Sequence, residues 1–463
     1  RFLDEGGRVA AVTSVGILNI LTDEGIRDLL GRRYNIEYVF IRDDESSFSE
    51  DTDRREVMTI ARKGGAKTAT NFVRLKSLDV HYENVMTAAE TLEEGQSVER
   101  DEFSIEKVSV DKLNKNNLFS PFAILNSELL SIWERVVDSE KVTTLEETDP
   151  EIIRGAQAGA HDARGYNPEM SLNAPDSYKF RDKDVWILDN ETDDVVTARH
   201  RFIEDQTFEI PRDNVVPNVR RLSGRWTADL TDLDEYAVTQ RFDRFDAFEE
   251  LTKEDEIPVE DWESRVTDRL GYTAIARRTD FSAPGTAHMA FFSDKKRLWP
   301  GMMWVLTGFT NAESKILTSW FDSTFGWLQF HLDRIETRGA YAEWHKYIIE
   351  QFRVLNPQSL DDSERTQLIE AVEAYGDVEV DGIVSQLARL STEDDFTEDE
   401  REGLQNAFGG LPFGRGLEER KTLDTAVMSV LGVPTAEQKE ILETLYPALL
   451  KEILALKEMM DSD

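Results

Sequence analysis

In a chain with 92 acidic against 54 basic residues, positive charge is informative wherever it is grouped. Arg220, Arg221 and Arg225, with Ser223 and Gly224 between them, form one basic island. Lys295 and Lys296, followed by Arg297 and Trp299, form another. Lys315, Arg334, Arg338 and Gly339 bracket an aromatic stretch holding Trp320, Phe321, Phe325, Trp327 and Phe330. Cationic side chains on turns suit phosphate oxygens, which position a protein on a duplex. A salt-bridged surface is the competing reading for the islands, and an aromatic stripe at helical spacing reads first as core.

A different chemistry is suggested near the start. Val9 to Val15 is an apolar run fit for a buried strand, and Thr13 and Ser14 stand at its carboxyl end. Ligands approach open α/β sheets at that end, although such residues can equally just close a strand. Other classes are poorly supported. Cys is absent, which excludes disulfides, thiolate zinc sites and cysteine nucleophiles. The six His are scattered without metal-ligand spacing. Nuclease pairs of the Pro-Asp…Glu-x-Lys kind are not evident. Gly414-Arg415-Gly416 sits in a polar loop before a helix rather than after an apolar strand, so it fails as a phosphate-cradling turn.

The elements that must position these residues divide the chain into four. Residues 1–63 read strand, helix, strand, strand: after the first run, Thr22-Asp23-Glu24 caps a helix, and Ile36 to Ile41 and Glu56 to Ala61 are β-branched runs. A lone strand–helix–strand cannot bury both faces of a parallel sheet, so this piece is expected to complete something larger. Residues 64–150 read as a connector with short helices. Residues 151–310 turn to β texture, with a hairpin around Asn190-Glu191-Thr192-Asp193 and further strands at Tyr272 to Arg277, Ala287 to Phe292 and Met302 to Phe309. Residues 311–463 read as helical, with Asn311 as a candidate N-cap. Capping-box spacing occurs at Thr397/Glu400 and Thr435/Gln438, and Gly409 and Gly432 stand where helices should stop. The last helix carries Ile441, Leu442, Leu445, Leu449, Ile453 and Leu456 as one stripe, with Pro447 expected to kink or end it. That stripe suits either internal packing or a partner.

The run GGRVAAVTSVGILN, then RDLLGRRYNIEYVFI and SSFSEDTDRREVMTIARK, resembles the closing part of adenine-N6-specific DNA methyltransferases of restriction-modification systems. IIRGAQAGAHDARGYNPEM is similar to the opening of many target-recognition domains, with Ala158 where Thr is usual. AESKILTSWFDSTFGWLQFHLDRIETRGAYAEWHKYIIEQFRVLNP is similar to a helix–loop–helix late in them, with Asp322-Ser323 where Asn-Ser is frequent. The resemblance implies an α/β remnant, the last strands of a methyltransferase-type Rossmann sheet, followed by an α+β target-recognition domain and a helical C-terminal region. It implies that Phe48 stacks on an extruded adenine. Thr13 and Ser14 would line the adenine or S-adenosylmethionine crevice. Arg154, Gly155 and Gly159 would meet the DNA backbone, with Arg338-Gly339 as a second contact. The family's Gly-rich cofactor turn and Asn/Asp-Pro-Pro-Tyr/Phe motif lie upstream of the Gly-Gly turn, and this sequence contains no Pro-Pro. The first half of the catalytic domain is therefore expected elsewhere, and this chain is not expected to methylate alone.

Charge gives an independent reading. A formal charge of −38, spread along the chain, suits a halophilic cytoplasm, where ~1 M salt shortens the Debye length to about 3 Å. Nucleic-acid avoidance or mimicry is the alternative. With no apolar run near 18 residues and no signal peptide, the expectation is a cytoplasmic protein without a membrane partner. The partners expected are double-stranded DNA and a separately encoded catalytic or restriction subunit. A stand-alone DNA specificity subunit and a non-enzymatic acidic interaction protein remain open alternatives.

Overall fold

The computed structural model describes residues 3–18, 25, 30, 33–42, 48, 56–64, 68–77, 80–116, 120–156, 171–173, 186–200, 204–205, 207–222, 224–238, 266–336 and 342–461. The chain opens with a six-stranded sheet of β1 (Arg8–Ser14), β2 (Tyr34–Arg42), β3 (Glu56–Lys63), β4 (Thr70–Leu75), β5 (Ser97–Glu99) and β6 (Phe103–Val108). Their order is β1-β3-β2-β4-β6-β5. β3 runs antiparallel to both neighbours, with Glu56 opposite Ser14 and Val57 opposite Ile41, so β1 and β2 are parallel and end together. β2 and β4 pair in parallel.

Alternation along these strands sets two buried faces. Phe40, Val73, Phe103 and Ile105 lie under α1 (Tyr82–Thr91), which buries Val85, Ala88 and Ala89. After α2 (Val110–Asn116) come α3 (Ser120–Ile124) and α4 (Ser127–Val137). They bring Phe122, Leu129, Leu130 and Trp133 to the core shared with Val39, Ile41, Val57 and Phe72 on the other face. The boundary expected at residue 63 falls inside this sheet, because β4, β5 and β6 supply half its strands. β1 differs from the rest: Val9 and Val12 are 36% and 41% exposed, and no described strand lies along its outer edge. The helix expected over 22–30 lies almost wholly outside the described residues.

β7 (Val142–Thr144) leads to β8 (Glu151–Arg154). A second six-stranded sheet holds β9 (Ser171–Asn173), β10 (Trp186–Glu191), β11 (Val195–His200), β12 (Thr207–Pro211), β13 (Val215–Pro217) and β14 (Glu235–Val238). The expected hairpin is its β10–β11 pair, closed by Thr192 N–H donating to Val195 O. β8 joins β15 (Leu270–Ala276), β17 (Ala290–Leu298) and β18 (Met303–Thr307) in a four-stranded sheet ordered β17-β15-β18-β8. Short strands β16 (Arg278–Thr279), β19 (Ile335–Glu336) and β20 (Ala342–Glu343) pair beside it, and β21 (Arg353–Leu355) pairs with β7.

From residue 311 the fold is mainly helical: α5 (Asn311–Phe321), α6 (Thr324–Leu332), α7 (Lys346–Glu350), α8 (Asp362–Gly376), α9 (Ile383–Leu390), α10 (Glu398–Phe408), α11 (Glu418–Val430) and α12 (Thr435–Asp461). Thr310, not Asn311, caps α5, because its hydroxyl reaches the N–H of Glu313, whose carboxylate returns the bond. Thr397 and Glu400 make the expected box, and Gly409 and Gly432 take φ of 75° and 80°. Gln438 instead donates to Val433 O at 2.9 Å, so Thr435/Gln438 is not a box. α12 continues through Pro447. Leu442, Leu445, Leu449, Ile453 and Leu456 along it are buried, and α12 packs on α4, α9 and α10. The stripe is thus covered by this chain itself.

Candidate nucleic-acid interface

The turn between β17 and β18, Trp299-Pro300-Gly301-Met302, gathers positive charge. Arg154 at the end of β8 and Arg277 after β15 each donate from Nε to the carbonyl of Gly301, at 3.2 and 3.3 Å. Arg278 follows in β16. Burial, and then the like charge of Arg154, hold Arg277 below the ordinary arginine range, while Glu343 at 2.7 Å acts against them. The turn is fixed from both sides: Gly155 N–H bonds Met303 O, Ala156 N–H bonds Trp299 O and Met303 N–H bonds Pro300 O. Arg154 itself is exposed. Arg277 carried no distinguishing signal in the sequence, because only the pairing of β15 with β18 brings it to Gly301.

The other expected contact residues are dispersed. Gly159, Arg338 and Gly339 lie outside the described residues. Gly155 is required for packing rather than for open approach: a Cβ there would stand 2.3 Å from Pro300 O and 2.6 Å from Trp299 O. Arg225 is paired at 2.5 Å with Glu235, a carboxylate only 3% exposed that also accepts from Arg220 N–H. Arg221 is half-buried, and its carbonyl accepts from Arg225 Nε at 3.4 Å. Lys295 and Lys296 are exposed on a bulge of β17, Lys296 above the ring of Tyr272. Arg297, beside them in sequence, points inward and donates to the carbonyls of Thr231, Leu233 and Asn218. Lys315 is buried between Asp294 at 2.6 Å and Glu373 at 2.5 Å, so its charge is neutralised within the fold.

At the other end of the chain, the common carboxyl end of β1 and β2 holds Thr13, Ser14 and Phe48. Thr13 Oγ1 is buried without a hydrogen-bond partner, an uncommon state for a buried hydroxyl. Ser14 Oγ accepts from Gly16 N–H at 3.4 Å. Phe48 is partly buried against the cluster that holds Phe40, Val73 and Phe103, with the Arg42 guanidinium 5.9 Å from its ring centre. Register places Thr13 on the face of Val57 and Ser14 on the opposite face, so the three line an end of the sheet rather than one surface.

Asp322-Ser323 has a structural task. Asp322 is fully buried and accepts from His288 Nδ1 at 2.6 Å, Met289 N–H at 2.9 Å and Trp327 Nε1 at 3.2 Å. Its carbonyl accepts from Arg420, whose guanidinium lies 3.6 Å from the ring centre of Trp327 and 4.4 Å from that of Tyr375. Ser323 caps α6. Among the described residues no group of three or more His, Asp or Glu is placed to hold a metal ion. No described helix is long and apolar enough to cross a membrane.

No family model matches this chain, and no curated protein does. Among solved structures it is similar to the type IIG restriction endonuclease BpuSI at 15% identity, over 98% of this chain and 48% of that one, with a TM-score of 0.44. It is also similar to the type IIL restriction-modification enzyme MmeI, solved in complex with DNA, at 10% identity over 98% and 50% of the chains, with a TM-score of 0.40. The chain therefore spans about half the length of these two structures. At such scores the likeness carries no argument about mechanism.

Proposed function

We propose that this chain is the recognition end of a site-specific adenine-N6 DNA methyltransferase of the restriction-modification kind. Its first sheet supplies the closing strands of the catalytic domain, and residues 151–463 read DNA. The observation that carries the proposal is the end of the first sheet. Parallel β1 and β2 finish together at β3, with Thr13, Ser14 and Phe48 there and, among the described residues, no strand along the outer edge of β1. Ligands of open α/β sheets sit outside the carboxyl ends of parallel strands. An exposed apolar edge strand is a template for another strand, which a soluble protein normally covers. A catalytic half bearing the cofactor turn and the Asn-Pro-Pro-Tyr/Phe motif would pair along β1 and complete the pocket. S-adenosylmethionine would supply the methyl group, held by that half.

In this account Thr13 and Ser14 border the pocket and Phe48 flanks it, while the recognition region positions the duplex. The test is co-expression of the full chain with such a catalytic half, followed by measurement of N6-methyladenine in host DNA. Methylation with the pair and none with either part alone is expected. No methylation with the pair, when both are soluble, would overturn the proposal.

A further inference from the structure

The four clusters of basic residues differ in what neutralises them. Arg225 faces Glu235, Lys315 lies between two carboxylates, and Arg297 is spent on backbone carbonyls, while its neighbours Lys295 and Lys296 stand exposed on a bulge without a second guanidinium beside them. At Gly301, by contrast, Arg277 and Arg154 share one carbonyl, and Glu343 pairs with Arg277 alone. Among the described residues no carboxylate lies within ion-pair distance of Arg154, in a chain where carboxylates are in large excess. Like charges held together in this way repel, and a bound anion relieves the repulsion.

We propose that Arg154 and Arg277 form a phosphodiester-binding subsite over the Gly301 turn. The inference deepens the DNA-recognition reading and rests on it. With both Nε groups on the Gly301 carbonyl and Arg277 Nη1 on Glu343, the two Nη groups of Arg154 and Nη2 of Arg277 are the donors left to meet the oxygens of a tetrahedral anion. The turn needs no rearrangement to receive it, being pinned by Gly155, Ala156 and Met303. Glu343 orients Arg277 by holding Nη1. Contacts of this kind fix register on a duplex and carry no sequence information.

A DNA backbone and a free phosphate share this chemistry, so the experiment separates them. Binding of the full chain to a fluorescent random-sequence duplex is measured over a range of KCl, for wild type, Arg154→Ala and Arg277→Lys. Arg154 is exposed, so its removal should leave the thermal melt unchanged. Loss of one phosphate contact is expected to shrink the slope of log affinity against log salt by about 1 in Arg154→Ala. Arg277→Lys keeps the charge and loses the fork, so affinity should fall with the slope retained. An unchanged slope in Arg154→Ala would overturn the subsite while leaving the DNA reading intact. Failure of the wild type to bind duplex at any salt would overturn both. An Arg154-dependent response to inorganic phosphate, without any change in the duplex slope, would make this a free-anion site and also overturn the proposal.

Discussion

At the scale of single residues, position in sequence and role in the fold part company. Asp322 stands where a polar pair was expected late in a recognition domain, yet it is an internal anchor that joins the segment before β17, α6 and α11 through His288, Trp327 and Arg420. His288 and Arg420 are far from Asp322 in the chain, which is why no local pattern announces them. Removing the carboxylate leaves buried donors on His288, Met289 and Trp327 unmet, so Asp322→Ala should cost roughly 3 kcal/mol or more in a denaturant melt. A loss below 1 kcal/mol would mean that the network is not engaged. Gly155 was legible as a glycine needing close approach, but its neighbour is the chain's own Trp299–Pro300 backbone. Gly155→Ala should therefore lower the melting temperature and weaken duplex binding together, since the same turn holds Arg154 and Arg277. The paired basic residues show the limit of reading charge from sequence: Arg297 looked as available as Lys296, and only the register of β17 turns it inward.

At the scale of elements, helices were more legible than their docking. Caps at Thr397 and stops at Gly409 and Gly432 depend on local backbone chemistry, and they appear where spacing placed them. The apolar stripe of α12 was equally plain. What spacing could not give is the tie on its flank, where Glu452 meets Arg74 of β4 at 3.2 Å and His331 of α6 at 3.7 Å. This joins the first sheet to the last helix. Burial would raise the Glu452 carboxyl, but Arg74 and His331 override it and hold it at about 2. A carboxylate lowered in the folded state stabilises above its unfolded value and loses that contribution as pH falls. The tie should thus be intact above pH 4.5 and lost as pH falls toward about 2. The loss is roughly 3 kcal/mol. Asp333 acts with the opposite sign: burial pushes it up to about 7, so its contribution is full below 3.8 and fades as pH rises through about 7. Melts of wild type and Glu452→Gln from neutral to acid pH check the tie. The acid-dependent loss should be smaller in the variant, and parallel curves would remove Glu452 from the account.

At the scale of the whole molecule, the α/β start, the β-rich middle and the helical end followed from periodicity. The joining of residues 70–108 to the first sheet did not, because β4 pairs in parallel with a strand distant in sequence, and pairing of that kind leaves no local mark. The net charge of −38 acts at this scale as self-repulsion. Raising KCl from ~0.1 to ~1 M shortens the Debye length from about 10 Å to about 3 Å, so the melting temperature should rise across that range. A fall would argue against adaptation to high salt. The central claim, that this acidic chain reads DNA, is tested most directly by selection from a random-duplex library in molar KCl. There the non-specific phosphate term is weakest and base contacts decide the outcome. The account predicts enrichment of one short consensus containing adenine. A recovered pool that stays random, or no duplex retained, would contradict it.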